Sequence, residues 1–430
     1  MTSNVVNYQQ VGETVYQYKL DSGLEIIIIP KPKFEKTFVC FGTKYGSLTN
    51  KFVPYGQEEY VDFPLGIAHF LEHQMFATKD GDVALKFTDL GLEVNAYTGW
   101  LETVYLFKGA DHILDGINLL LDFVQTPYFI EENIESERNI IIQELKMYLD
   151  KPGVALENGI TNNMFALYPI KYDVGGTIEE VKKITGEMLY KCHQTFYHPS
   201  NMTLIVVGDV KCEDIVETVV KNQENKVILP KKDIRRIIPV EDNIVRRRTG
   251  SKKMDVVMPK VCVGLKLPYE KRIENESILT EVLLKIVLEI YFSDSTEFYQ
   301  MLLDENIISG GLSFSVNVDD MAGFISISAN TEKPEQFKQL IKERLISLPN
   351  FEFPADEFEI LKKAFLGNFI RSLNSVDYIA TTYFEYKVRN SNVFEIAEMI
   401  NNLTVEEAKK MSKYFIVDAL TDYTIKPLKN

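Results

Sequence analysis

The segment TFVCFGTKYGS, Thr37 to Ser47, reads as a β-strand, and KVCVGLKLPYE, Lys260 to Glu270, echoes it 222 residues later. In that alignment Cys40 falls on Cys262 and Gly42 on Gly264. A second echo has nearly the same offset. TPYFIEENIESERNIIIQEL (Thr126 to Leu145) resembles NFEFPADEFEILKKAFLGNF (Asn350 to Phe369). Both enter through aromatic residues, place acids where they complement a helix dipole, and continue with an apolar helical period. Two echoes at matching spacing imply a duplicated unit of about 200 residues.

Around these echoes, GLEIIIIP (Gly23 to Pro30) and MTLIVVGDV (Met202 to Val210) are further β-type runs bounded by Gly or Pro. Helices are predicted for Leu65 to Ala77, Asp111 to Gln125, Glu131 to Leu149 and Thr185 to Phe196. Strands and helices do not alternate in a βαβ rhythm, so the expected class is α+β, helices layered on a largely antiparallel sheet. A chain of 430 residues exceeds one ordinary core. The expected division is a first unit over residues 1–225, a connector over 226–253 and a second unit over 254–430. The connector holds ten Lys and Arg against three acidic residues, interrupted by Pro230, Pro239 and Gly250, and reads as a surface linker.

The net charge of −15 argues against nucleic acid as a partner, since a polyanion would be repelled. Apolar runs such as Ile117 to Leu121 are far shorter than the roughly 20 residues that cross a bilayer. The polar start, MTSNVVNYQQ, lacks the basic-then-apolar order of a secretory signal, so a cytoplasmic address without membrane attachment is expected. Cys40, Cys192, Cys212 and Cys262 lie far apart with no CxxC pairing and read as free thiols in a reducing compartment.

Chemistry concentrates in GIAHFLEHQMF, Gly66 to Phe76. On a helix, His69 and His73 are four residues apart, so both imidazoles reach one ion from one face. Glu72 sits on nearly that face, within reach of a water whose pKa a zinc ion lowers from about 15.7 to near 7. This is the inverted His-x-x-Glu-His arrangement. Only five histidines occur in the chain, and His112, His193 and His198 show no ligand spacing. A catalytic zinc usually takes three protein ligands, and Glu144, among Ile140, Ile141, Ile142 and Leu145, is the candidate third. Glu137, two helical turns earlier, could hydrogen-bond a ligand histidine.

HFLEH, followed 71 residues after its last histidine by the Glu of ERNIIIQE, resembles the pitrilysin and insulinase superfamily of zinc metallopeptidases, particularly its mitochondrial-processing-peptidase-like branch and bacterial subunits of this length. GLEVNAYTGWLETVYLF (Gly91 to Phe107), DFVQTPYF and TFYHPSNMTLIVVGDV fit the same pattern. The resemblance implies two homologous units, each a twisted, mainly antiparallel sheet with helices packed on one face. It implies Zn2+ on His69, His73 and Glu144, Glu72 as base, and Glu137 supporting a ligand. Peptides would lie extended along an edge strand at Asn95, Ala96, Tyr97 and Thr98. A related partner subunit would close the chamber, as a heterodimer or a homodimer.

The second half departs from this pattern. Glu144 corresponds to Asn368 and Glu137 to Leu361, and no His-x-x-Glu-His follows residue 250. Where many members of the superfamily carry an Arg and a Tyr that stabilise the oxyanion, this chain reads LLDENIISGGLSFSV (Leu302 to Val316), without Arg and with Phe314 as the nearest aromatic. The leading expectation is an endopeptidase subunit acting on peptides or unfolded segments, completed by a second chain. The alternative, a non-catalytic core or assembly subunit, predicts a lost ligand or base, yet all four residues are present.

Overall fold

The computed structural model describes residues 1–224, 226–269, 276–350 and 352–428. Asn225, which ends the expected first unit, Glu270, which ends the second strand echo, and Phe351 in the helix echo lie outside the described residues.

Seven strands build the first sheet: β1 (Thr2–Tyr8), β2 (Glu13–Lys19), β3 (Glu25–Pro30), β4 (Thr37–Thr43), β5 (Glu93–Thr98), β6 (Thr103–Gly109) and β7 (Met202–Gly208). Their spatial order is β1-β2-β3-β7-β4-β6-β5. Five strands build the second: β8 (Thr249–Met254), β9 (Lys260–Leu267), β10 (Ser313–Val318), β11 (Gly323–Asn330) and β12 (Leu420–Pro427), in the order β8-β12-β9-β11-β10. Without the β1-β2 hairpin the sheets match strand for strand. In each, one outer pair is parallel (β3 with β7, β8 with β12) and the rest are antiparallel. The echoed cysteines occupy the same place, Cys40 opposite Ile205 and Leu106 on β4, Cys262 opposite Tyr423 and Ser328 on β9.

The helices used below are α1 (Ile67–Met75), α2 (Val83–Asp89), α3 (Ile113–Gln125), α4 (Glu131–Leu149), α5 (Pro152–Met164), α6 (Gly186–Phe196) and α7 (Cys212–Glu224) in the first half. In the second they are α8 (Glu276–Phe292), α9 (Glu297–Asp304), α10 (Pro334–Ser347), α11 (Ala355–Ser372) and α12 (Val376–Val388). Alternation along β4 divides the first sheet into two faces. Val39 and Phe41 meet α1, α3, α6 and α7 of their own half. Phe38 and Cys40 face the other way, onto Ile379, Ala380, Tyr383 and Phe384 of α12. The second sheet repeats this in reverse. Its Val261, Val263 and Leu265 pack with the helices of the second half, while Cys262 and Ile425 face Ile160 and Met164 of α5.

Each half therefore lays its own helices on one face of its sheet and lends one helix to the other half. Both faces being covered explains why Ile26 to Ile29 are four consecutive isoleucines, none more than 3% exposed. Full burial of such a side chain contributes about 1.5–3 kcal/mol. The echoed glycines mark the crossing points. A Cβ at Gly42 would collide with the Phe384 ring, and one at Gly264 with Met164 and Ile160.

Between residues 226 and 248 the backbone has no regular element beyond an isolated bridge from Arg236 to Phe52, and Thr249 to Lys253 belong to β8. The stretch is pinned rather than loose. The buried Glu241 carboxylate accepts the N–H groups of Ala166, Leu167 and Tyr168 at 2.7–2.9 Å and pairs with the buried Lys266 ammonium at 3.0 Å.

Candidate metal centre

Helix α1 is short and apolar on its inner face, where Ile67, Phe70, Leu71 and Met75 are buried in the core between the first sheet and its own helices. It starts at Gly66, whose φ of 84° no side chain adopts readily, and a Cβ there would strike the Gly175 carbonyl. The Asp173–Gly176 turn thus sits directly on the helix start, with a Gly175 Cβ position only 3.6 Å from His69 Nδ1. One turn of helix separates His69 from His73, and their ring centroids are 4.5 Å apart.

Helix α4 packs against α1 and carries Glu137 and Glu144 on the facing side. The Glu137 carboxylate lies 2.8 Å from His73 Nδ1, which leaves His73 Nε2 turned to Glu144. Glu144 Oε2 is 3.6 Å from His73 Nε2 and 3.9 Å from His69 Nε2. Those separations are too long for direct hydrogen bonds. Glu144 Oε2 and His69 Nδ1 are buried without a hydrogen-bond partner among the described residues. His69, His73 and Glu144 form a group whose donor atoms all fall within 4.8 Å of one another.

Burial, reinforced by neighbouring His73, pushes the His69 pKa down to about 3, so its ring stays neutral. For His73 burial acts downward too, but the bond to Glu137 and the nearby Glu72 and Glu144 carboxylates outweigh it and raise the pKa. Glu72 is 7% exposed, and burial raises its pKa against the opposing pull of His73 and Thr98. Its Oε2 accepts a 2.9 Å hydrogen bond from Thr98 Oγ1.

These groups open into a cavity of about 580 Å³ walled by α1, α4, the Asp173–Gly175 turn and β5. β5 is the terminal strand of its sheet and pairs only with β6 among the described residues. Asn95, Ala96, Tyr97 and Thr98 all line the cavity, but their side chains divide. Ala96 packs toward α1, Tyr97 packs into the core shared with the second half, and the Asn95 side chain accepts its neighbour Ala96's N–H at 2.9 Å.

The structure adds to the sequence reading at three places. Of the apolar sequence neighbours of Glu144, Ile141 and Leu145 are buried and Ile142 packs on the same core, while Ile140 is 53% exposed. Thr98 serves Glu72 through its side chain, a contact invisible in sequence because it requires β5 to pass beneath α1. Tyr148, Asp173 and Gly175 also wall the cavity, and the Gly175-Gly176 doublet was the signal that a tight backbone approach lay there. The remaining histidines stay apart from the site. His193 Nε2 bonds the Val124 carbonyl, His198 bonds Ser200 and Leu229, and His112 lies beside Asp115. In the second half, Phe314 of β10 packs on the shared core and does not enter this cavity.

Residues 58–178 match the family model of the insulinase family, peptidase family M16, and residues 183–365 match that of the peptidase M16 inactive domain. A Bacillus subtilis (strain 168) protein named an uncharacterized zinc protease, YmfH, is 36% identical over 98% of this chain and 99% of its own. The crystal structure of an M16-like peptidase from Alicyclobacillus acidocaldarius superposes with a TM-score of 0.92 at 29% identity, covering 96% of this chain and 98% of that one. The periplasmic protease PqqL from Escherichia coli shares the fold, with a TM-score of 0.74 at 19% identity, and 97% of this chain covers 48% of that longer one. A chain that aligns almost end to end with such relatives belongs to the insulinase family of peptidases, family M16.

Proposed function

We propose that the chain is the zinc-binding subunit of an endopeptidase that cuts peptides or unfolded segments held as an added strand. The observation that carries this reading is the convergence of His69 Nε2, His73 Nε2 and Glu144 Oε2 beside the buried Glu72 carboxylate. Ligands about 2.0–2.2 Å from a tetrahedral zinc lie about 3.3–3.6 Å apart. The 3.6 and 3.9 Å separations here need only a few tenths of an ångström of adjustment. The donor set of two imidazoles and a carboxylate is one that zinc takes in catalytic sites, and the partnerless Glu144 Oε2 is the atom a cation would satisfy. Zinc bound there would act as a Lewis acid, lowering the pKa of water and polarising the scissile carbonyl.

The chain's own residues do the rest. Glu137 accepts the Nδ1 proton of His73 and so fixes the tautomer whose Nε2 lone pair faces the cavity. Glu72 takes the proton of the attacking water and returns it to the departing amide nitrogen, while Thr98 holds the carboxylate's second oxygen. The unpaired edge of β5 offers main-chain groups to an extended peptide, which would displace the Asn95 side chain from the Ala96 N–H. No oxyanion donor from the second half enters the cavity among the described residues, which supports completion by a related second subunit, as a heterodimer or a homodimer. The fit of this chain to about half of PqqL is consistent with such pairing. No described helix is long and apolar enough to cross a membrane, and four buried, unpaired thiols suit a reducing, cytoplasmic setting.

The decisive experiment measures zinc content and turnover of a peptide library for wild type and Glu72→Gln, alone and with candidate partner chains. One zinc per chain in both proteins is expected, with turnover reduced by about 10²–10⁴ in the variant. Wild-type protein without zinc at neutral pH would refute the ligand set. Full turnover by the isolated chain would refute the need for a partner.

A further inference from the structure

The basic run of the connector remains unexplained by the peptidase chemistry, and the structure engages half of it elsewhere. Arg235 bonds Glu58, Arg236 bonds Thr49, Arg246 bonds the Asn162 side chain, Arg248 pairs with Asp418, and Lys226 pairs with Asp122. Arg247, between two engaged arginines, meets no carboxylate among the described residues, and neither does Lys252 of β8. Both line a second cavity, of about 460 Å³, at the junction of the two halves.

This cavity abuts the candidate metal centre, because Leu145, Tyr148 and Asp173 belong to the walls of both. Its side nearest the metal centre belongs to the first half, through α4, α5 and the turn after Lys171. Its far side belongs to the second half, through Arg247, Lys252 and Tyr423 of β12. Two acids, Asp173 and Glu179, line it as well, and Asp173 is already engaged with the Gly175 N–H at 2.8 Å. Lys171 donates to the Ala166 carbonyl. Arg247 and Lys252 therefore line the cavity from its second-half side without a carboxylate partner among the described residues, in a protein whose overall charge is −15. A guanidinium and an ammonium lining one cavity favour a carboxylate, which a guanidinium can bind bidentately.

We propose that this second cavity is a carboxylate subsite, in which Arg247 and Lys252 from the metal-free half select substrates bearing an acidic side chain or a free C-terminus close to the cleaved bond. The inference rests on the peptidase reading and adds a substrate class to it. The carboxylate could belong to a Glu or Asp side chain or to the peptide's own terminus, and the test separates these sources.

Zinc-loaded full-length Glu72→Gln protein is titrated with fluorescent peptides that differ only as Glu against Gln, or as C-terminal acid against amide. The same titrations follow in the Arg247→Gln/Lys252→Gln and Arg247→Glu/Lys252→Glu backgrounds. Both positions are exposed, so neither change should disturb folding. The acidic member of at least one pair should bind about fivefold more tightly, the preference vanishing with Gln and reversing with Glu at the two positions. A gain confined to Glu over Gln assigns the site to side chains, and one confined to acid over amide assigns it to termini. Peptides that bind with no charge preference, or with one the variants leave unchanged, overturn the subsite and leave the peptidase reading standing. Failure of every peptide to bind overturns both together.

Discussion

The helix pair α1–α4 and its counterpart α8–α11 make the same contact in the two halves, yet one frames the candidate metal centre and the other is core. α4 and α11 both begin with acids in the first turn, Glu131 and Glu132 in one, Asp356 and Glu357 in the other. Where α4 presents Glu137 and Glu144 to two histidines, α11 has Leu361 and an exposed Asn368. Where α1 turns His69, Glu72 and His73 to a cavity, α8 is a longer helix buried along most of its length by Ile, Leu and Val. The architecture needs two packed helices on each sheet. The proposed chemistry needs four particular side chains on one pair, and the second half keeps the helix pair without them.

That contrast can be attacked directly. Replacing His73 by Ala should abolish both zinc retention and cleavage, as elemental analysis and peptide assay would show. Placing Glu at positions 361 and 368 together should create no second zinc site, because all five histidines lie in the first half. A second equivalent of zinc in that variant would mean that α8 and α11 retain a latent site. A smaller effect is expected at Glu137, where Gln should weaken zinc affinity about 10–100-fold in competition with a chelator while leaving the fold intact.

The crossing points test the symmetry of packing instead of its asymmetry in chemistry. Leu at Gly42 or at Gly264 must displace the helix lent by the opposite half, and each should cost about 1–3 kcal/mol in denaturant unfolding. A large cost at one position and none at the other would show that the two exchanges are not equivalent.

The smallest effect concerns Glu102, which lies near Glu385 of α12. Burial, with the charge of Glu385 added, pushes the Glu102 carboxyl up to about 7, well above an unfolded glutamate. The folded protein therefore binds a proton between about pH 4.5 and 7 that the unfolded chain does not, and stability falls as pH rises through that window. Glu102→Gln should melt about 2 °C above wild type at pH 8, with the gap closing by pH 5 in calorimetric scans.

The sequence was most informative where structure is local. The bounds of α4 match those read from its apolar period, and α1 is shortened only from Leu65–Ala77 to Ile67–Met75. His69, His73 and Glu72 were legible because one helical turn fixes their mutual placement. The strand echo correctly paired Cys40 with Cys262, but it could not say that Gly42 and Gly264 admit helices from opposite halves. Periodicity tells a helix which face is apolar and never which sheet will receive it. The bond from Thr98 to Glu72 and the Asp173–Gly176 turn escaped for the same reason, since both are contacts between elements distant in sequence.

The exchange of α5 and α12 has a bearing on ancestry. A lone copy of the repeating unit would leave one apolar helix unseated and one sheet face bare. Two identical copies would cure both defects by clasping one another about a two-fold axis, as domain-swapped pairs do. Tandem fusion of such a pair keeps the clasp while freeing the two copies to differ in their side chains. The chain described here has that form: a pair written into one chain, in which each half is a mould for the other.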